Sequence, residues 1–127
     1  MSPQDALMSY AFLGLPVGLA LGLMLGLVAR HESGWGGYGS VRRRAARLGH
    51  IAAVMLPLIA GFYALALGGV TNAAAWWGVR LWIAGGIGLP LVLFVAAWRP
   101  RFQLALPVPA TAITSSAVAF ALAYLAY

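Results

Sequence analysis

The sequence contains no cysteine and no lysine, and only two of its 127 residues, Asp5 and Glu32, are acidic. The missing cysteines exclude disulfide and thiol chemistry, thiolate metal sites and iron–sulfur clusters. Charged residues make up 8% of the chain, whereas a soluble domain carries about a quarter. Together with a hydrophobic content of 63%, this composition predicts an integral membrane protein.

Catalytic and transport signatures are also sparse. No acidic residue lies inside an apolar stretch, which disfavours proton-coupled export of the small multidrug type because such exporters need a membrane carboxylate. The paired acidic, arginine and asparagine motifs of four-helix glutathione-related membrane enzymes are missing. No nucleophile, base and orienting group can be assembled from the sequence. We therefore expect a protein with no catalytic centre of its own.

The apolar residues form four long stretches, at about 6–29, 46–69, 74–98 and 103–126. Each exceeds the roughly 20 residues that an α-helix needs to cross a bilayer. The connections are a glycine-rich polar loop at 30–45 and short turns at 70–73 and 98–101. Short connections predict antiparallel neighbours, so we expect one all-α domain over 1–127, an up-and-down bundle of four transmembrane helices.

The positive charge is distributed unevenly, and all of it comes from arginine. Seven of the eight arginines flank the first and third connections, which lie on one side of an up-and-down array: Arg30, Arg42, Arg43, Arg44, Arg47, Arg99 and Arg101. The positive-inside rule makes that side cytoplasmic and predicts both termini outside, in an inner membrane. Because the cluster adjoins apolar spans, we interpret its partner as anionic lipid and not nucleic acid.

Four glycines occur at strict four-residue intervals in the first stretch: Gly14, Gly18, Gly22 and Gly26. This spacing places them along one stripe of a helix. Glycine costs roughly 1 kcal/mol relative to alanine in a helix interior, so the stripe indicates that another backbone comes close, as in small-xxx-small packing between membrane helices. The neighbour is a helix of this chain, of a second copy or of a partner subunit, and the alternative is a flat cofactor or a lipid that lies against the stripe.

Arg80 is the arginine that lies inside an apolar stretch, about seven residues into the third. Its side chain can extend towards the outer membrane surface, and Trp76 and Trp77 are spaced for cation–π contact with it. Asp5 is the acid predicted on the same side and is a candidate ion-pair partner. Arg80 is therefore interpreted as a lipid-facing anchor, with contact to a cofactor or a partner subunit as the alternative.

His50 opens the second stretch, with Arg43 and Arg47 on the same helical face. An imidazole can ligate haem iron or chlorophyll magnesium, and arginines can neutralise the acidic groups of such a ring. This arrangement predicts a tetrapyrrole site as one hypothesis. The alternatives are an interfacial histidine that is hydrogen-bonded to its surroundings, or proton handling. A metal site built from His31, Glu32 and His50 matches no established ligand spacing.

The fourth stretch carries a hydroxyl cluster: Thr111, Thr114, Ser115 and Ser116. Hydroxyls inside a membrane helix bond to their own helix or across to a neighbour. The main interpretation is packing, and the alternative is a polar path that, with Arg80, would serve a small anion transporter or channel.

The segment Tyr38-x-Ser40-x-x-Arg43-Arg44-x-x-Arg47-Leu48-Gly49-His50-Ile51 resembles a segment of small, uncharacterised multi-span bacterial membrane proteins. The resemblance covers about fourteen residues and implies no activity or cofactor. It marks the stretch from Tyr38 to Ile51 as the distinctive surface of the chain. From all these features we expect a small accessory subunit of a larger membrane complex, respiratory or photosynthetic, with the tetrapyrrole carrier and the anion transporter as alternatives.

Overall fold

A computed structural model describes residues 1–31 and 33–126, and in that part of the chain it is helical with no β-strand. Four α-helices dominate: α1 (Pro3–Val28), α2 (Val41–Leu67), α3 (Ala73–Trp98) and α4 (Pro107–Leu125). By length and apolar composition all four can cross a membrane, α4 together with the 3₁₀ segment Pro100–Ala105 before it. The all-α class is confirmed, and so is the prediction of four helices long and apolar enough to span a membrane.

Two helices begin earlier than the apolar stretches predict, because polar caps extend them. In α1, the Ser2 hydroxyl accepts from the Asp5 backbone N–H at 3.1 Å and the Asp5 carboxylate accepts from the Ser2 N–H at 2.8 Å, a reciprocal capping box. In α2, Ser40 caps the first turn by accepting from the Arg43 N–H at 3.2 Å. Residues 41–45, which the sequence assigned to the loop, are therefore the first turn of α2.

The fourth helix begins at Pro107 and not at 103. Residues 100–105 form a 3₁₀ segment instead. Pro107 and Pro109 lack a backbone N–H and fit the first turn of a helix, where that group has no intrahelical partner. The turn between α2 and α3 uses Gly68 and Gly69, which have φ of +50° and +98°, values that L-residues with side chains rarely adopt.

The helices run antiparallel, as the close approaches between them show. A side chain at Gly14 would meet Pro57, and one at Gly18 would meet Ala53, so α2 descends as α1 ascends. The Trp82 indole N–H of α3 donates to the Leu56 carbonyl of α2 at 3.3 Å. Gly78 and Gly85 of α3 approach Phe120 and Ile113 of α4 in the same descending order.

The helices do not close evenly around one axis. Each helix packs on its neighbour in sequence, and α1 also touches α3, whereas α4 packs mainly on α3. The hydrophobic core lies mainly between α1, α2 and α3, where Leu7, Val79 and Trp82 are nearly inaccessible, and α4 adds Phe120 and Ala123. The contact from α4 to α2 is centred on Phe120, whose ring lies 4.8 Å from that of Tyr63. This arrangement leaves an open groove between α2 and α4.

Two separate depressions lie between α2 and α4, and we refer to them together as the α2–α4 groove. One, of about 650 Å³, is lined by α2 between Leu48 and Leu56, by Leu89 and Leu93 of α3, and by the start of α4. The other, of about 470 Å³, lies between Tyr63 to Leu67 of α2 and Ala117 to Leu125 of α4. The lining is almost entirely apolar, and alanines occur on both walls.

Candidate functional site

The first turn of α2 joins the ends of two other helices through arginine side chains. Arg42 Nε donates to the Ala97 carbonyl near the end of α3 at 3.0 Å. Arg43 Nη2 donates to the Ala29 carbonyl just after α1 at 2.6 Å and to the His31 carbonyl at 3.5 Å. The last carbonyls of a helix lack intrahelical partners and carry the negative end of its dipole. The two arginines therefore stabilise the α1 and α3 ends.

Aromatic rings of the first loop and of α3 pack against these arginines. The Arg43 and Arg47 guanidinium carbons lie 5.9 and 4.7 Å from the centre of the Tyr38 ring. The Arg42 guanidinium carbon lies 5.2 Å from the centre of the Trp98 ring. Trp35 completes the cluster with an edge-on contact to Trp98 at 5.3 Å. These distances are within the range of cation–π and aromatic attraction.

The loop backbone is shaped to place these rings. Trp35 has φ of +61° and ψ of +32°, a left-handed conformation that is costly for a bulky residue. The Ser40 hydroxyl donates to the Trp35 carbonyl at 2.8 Å, which holds this conformation. Gly36 and Gly37 also have positive φ, so the chain reverses within a few residues and returns Tyr38 towards α2.

Between the loop, the end of α1 and the start of α2 lies a small cavity of about 90 Å³, which we call the arginine pocket. Its lining combines apolar walls with two cationic side chains: Leu25, Val28, Ala29, Trp35, Tyr38, Arg43, Ala46 and Arg47. Arg47 is exposed, and within the described part of the chain it donates no hydrogen bond. A cationic rim above an apolar cavity can bind an anionic amphiphile.

His50 is half-buried at the contact between α1 and α2. Its Nδ1 lies 3.1 Å from the Gly18 carbonyl oxygen, so Nδ1–H donates and Nε2 is left without that proton in the neutral ring. The ring packs directly on Gly22 of α1. It is not among the side chains that line the arginine pocket. The structure thus places His50 against α1, and Arg43 and Arg47 against Tyr38, instead of grouping the three around one space.

The glycine stripe has its close neighbour within the same chain. Gly14, Gly18 and Gly22 face Pro57, Ala53 and His50 of α2, at distances that leave no room for a Cβ. Gly26, one turn further, has nothing within 4 Å of the position that a Cβ would occupy. Three members of the stripe therefore pack α1 on α2, and Gly26 is open.

Arg80 is exposed on α3, with its guanidinium carbon 5.6 Å from the centre of the Trp77 ring. Trp77 is itself exposed, and Trp76 is partly buried against the core. The Asp5 carboxylate caps α1, and among the described residues no ion pair joins it to Arg80. This geometry fits a side chain at the membrane surface.

The hydroxyl cluster on α4 does not assemble into a polar path. Thr111 and Thr114 donate to the carbonyls of Val108 and Ala110 in their own helix, at 2.9 and 3.0 Å. Ser115 is exposed, whereas Ser116 is fully buried and its Oγ has no hydrogen-bond partner in the described structure. Neither Arg80 nor any of these hydroxyls lines the depressions of the α2–α4 groove.

Glu32, the remaining acid, lies outside the described residues, and so does its place in the grouping of His31, Glu32 and His50 considered from the sequence. Among the described residues, no three histidine, aspartate or glutamate side chains are grouped to hold a metal ion. No protein-family model, curated protein or solved structure matches the chain. The function is therefore inferred from the contacts and cavities of the molecule itself.

Sequence reasoning missed the partners of the arginines. Nothing in the sequence pairs Tyr38, Trp35 or Trp98 with particular arginines. The available signal was two aromatic residues in a glycine-rich loop beside three consecutive arginines, Arg42, Arg43 and Arg44. Aromatic and guanidinium groups at a membrane interface attract one another. The α2–α4 groove had no sequence signal, because its lining is as apolar as any lipid-facing helix surface.

Proposed function

We propose that this protein is a small accessory subunit of a larger membrane complex and that it holds a transmembrane helix of a partner subunit. The observation that supports this proposal is the α2–α4 groove, whose two depressions lie at residues 48–56 and 63–67 along α2. A helix is about 10–12 Å wide with its side chains. A partner helix in the apolar groove would contact both α2 and α4.

The lining of the groove favours a helix as its occupant. Ala52 and Ala66 lie on the α2 wall, and Ala110, Ala117 and Ala121 lie on the α4 wall. In a membrane, helices associate where small side chains let two backbones approach, because lipid tails are as apolar as leucine and give no hydrophobic driving force. The expected partner helix is apolar and carries small residues on the docking face.

Orientation and setting are part of the proposal. The end of the array that carries seven of the eight arginines faces the cytoplasm by the positive-inside rule, and both termini face outward across an inner membrane. Among complexes with small multi-span subunits, we expect an energy-transducing one, respiratory or photosynthetic. Identification of the partner protein will decide whether the complex is respiratory or photosynthetic.

The test is photo-crosslinking in the native membrane. A benzophenone amino acid at Ala117, in the groove, is expected to capture one defined larger membrane protein after irradiation. The matched control is the same amino acid at Leu19, an exposed apolar position on α1 that should capture lipid only. Mild-detergent purification, mass spectrometry and an absorbance spectrum identify the partner and its chromophores.

Two results would contradict the proposal. Capture of a second copy from Ala117 would make the groove a homo-oligomer interface. Capture of lipid alone from both positions would leave the groove without a protein occupant. Substitution of Gly18 by leucine does not serve as this test, because Gly18 contacts Ala53 of the same chain and the variant would separate α1 from α2.

A further inference from the structure

The arginine pocket combines two cationic side chains of α2, aromatic rings of the first loop and apolar side chains of α1. Arg43 and Arg47 stand one helical turn apart on α2 and both face the ring of Tyr38. Beneath them, Leu25 and Val28 of α1 form apolar walls. The site lies in the first two turns of α2, where the positive end of the helix dipole also favours an anion.

The size of the cavity restricts the ligand. Its volume is about 90 Å³, whereas an engineered apolar cavity that holds one benzene measures about 150 Å³. A tetrapyrrole ring does not fit, but a few carbons of a flexible chain do. The rest of such a ligand must lie outside the cavity, along the membrane-facing surface of α1, where Leu27 and Val28 are exposed.

The charge restricts the head of the ligand. Arg30, Arg42 and Arg44 are exposed at the same end of the array and add to the positive potential around Arg43 and Arg47. A guanidinium binds phosphate oxygens through parallel hydrogen bonds, and a tyrosine hydroxyl can donate another. Tyr38 and Arg47 are both exposed and accessible from the membrane surface.

We propose that the arginine pocket binds one anionic phospholipid, with its phosphate at Arg47 beside Arg43 and the first carbons of an acyl chain in the cavity over Leu25 and Val28. This inference is independent of the accessory-subunit proposal. A bound lipid would tie the first loop to α1 and α2, since the pocket is lined by all three. The left-handed backbone of Trp35 is consistent with this role, because strained backbone conformations are common in loops that hold a ligand.

Native mass spectrometry of the full chain in mild detergent tests the site. The probes are dioleoyl phosphatidylglycerol and dioleoyl phosphatidylcholine, which share acyl chains and differ in net charge. We expect one phosphatidylglycerol to be retained per chain under conditions that remove phosphatidylcholine. Arg47→Gln should weaken retention about tenfold, the loss expected for one charge-assisted hydrogen bond.

Arg44→Gln is the matched control, because Arg44 is exposed on the same helix but does not line the pocket. It removes the same charge and should leave retention within about twofold, because an exposed charge that does not line the pocket acts on the ligand only through solvent and is screened by salt. Val28→Trp should fill the cavity and abolish retention without changing the charge. Leu27→Trp, at the adjacent exposed position, should not. Elution volume and thermal unfolding of each variant establish that it is folded.

Several outcomes would overturn the proposal. Equal losses in Arg44→Gln and Arg47→Gln would mean a diffuse charge effect. Equal retention of the two lipids would mean that the phosphate charge is not recognised. Retention that survives Val28→Trp in a folded variant would place the lipid elsewhere. Displacement of phosphatidylglycerol by millimolar inorganic phosphate would make the ligand a free anion instead of a lipid.

Discussion

The Nδ1 of His50 on α2 lies 3.1 Å from the backbone carbonyl oxygen of Gly18 on α1. This hydrogen bond forms because α1 presents glycines where α2 presents a ring. The imidazole packs on Gly22, in space that any side chain at that position would occupy. The histidine and the glycine stripe, which the sequence suggested as separate features, are parts of one helix–helix contact.

The contact predicts opposite effects of alanine at two glycines of the stripe. A Cβ at Gly18 would lie 2.5 Å from the Ala53 carbonyl oxygen, and this neighbour is backbone that cannot rotate away. Gly18→Ala should therefore destabilise the fold by about 1–3 kcal/mol, as overpacking does. Gly26→Ala should instead stabilise the fold by up to about 1 kcal/mol, because nothing lies within 4 Å of the added Cβ and alanine is the better helix former. Unfolding in mixed micelles with increasing dodecyl sulfate measures both, and equal stabilities would contradict the α1–α2 register.

Removal of the His50 side chain should loosen the same pair of helices. His50→Ala loses the hydrogen bond to the Gly18 carbonyl and the ring contact with Gly22, and we expect a loss of about 1 kcal/mol. His50→Gln restores an N–H donor and should recover part of it. The same micelle assay measures the effect. A stability unchanged in His50→Ala would show that the bond is not formed in the membrane.

An absorbance spectrum of the purified protein distinguishes this structural role from the tetrapyrrole hypothesis. The packing of His50 on Gly22 leads us to expect no Soret or near-infrared band that depends on this residue. A band present in the wild type and lost in His50→Ala, with the fold intact, would instead support ligation of haem or a chlorophyll-type pigment by His50.

Arg42 is expected to hold the end of α3. Its side chain donates to the Ala97 carbonyl and lies over the Trp98 ring. Arg42→Gln should lower stability by about 1 kcal/mol and speed amide hydrogen exchange at residues 95–99. Arg44→Gln removes the same charge from the same helix turn and serves as the control. Equal exchange rates in the two variants would contradict the role of Arg42.

Arg80 should contribute little to the fold. It is exposed and its described contact is the stacking on Trp77, a type of contact worth about 0.5–1 kcal/mol at exposed sites. Arg80→Ala should therefore change stability by no more than about 1 kcal/mol and shift only the Trp77 fluorescence. In proteoliposomes, anion uptake that the variant abolishes would favour the transporter alternative over the accessory-subunit proposal.

The orientation can be tested directly because the chain has no cysteine. Thr71→Cys lies in the turn between α2 and α3, and Gly39→Cys lies in the loop before α2; both positions are exposed. A membrane-impermeant maleimide should label Thr71→Cys in intact cells and label Gly39→Cys only after permeabilisation. The reverse pattern would invert the proposed topology.

Particular residues show how far the sequence could be interpreted. The spans were predictable because a helix that crosses a bilayer needs about 20 consecutive apolar residues, and such a run is visible in the sequence. Their ends were less so: the arginines at 42–44 indicated a loop, but Ser40 caps a helix that begins at Val41. The first turn of α2 accommodates these charges because Arg42 and Arg43 donate to carbonyls at the ends of α3 and α1. The sequence around the two arginines does not indicate these partners.

The sequence by itself determined the all-α class, the four membrane-spanning segments and the concentration of arginine at one end of the array. Only the tertiary structure decided that Gly14, Gly18 and Gly22 face α2, that His50 packs on α1, and that Tyr38 lies beside Arg43 and Arg47. The physical reason is that lipid and protein interior are equally apolar. Hydrophobicity therefore marks which segments enter the membrane but not which faces meet, and the meeting faces are chosen by shape and by a few hydrogen bonds.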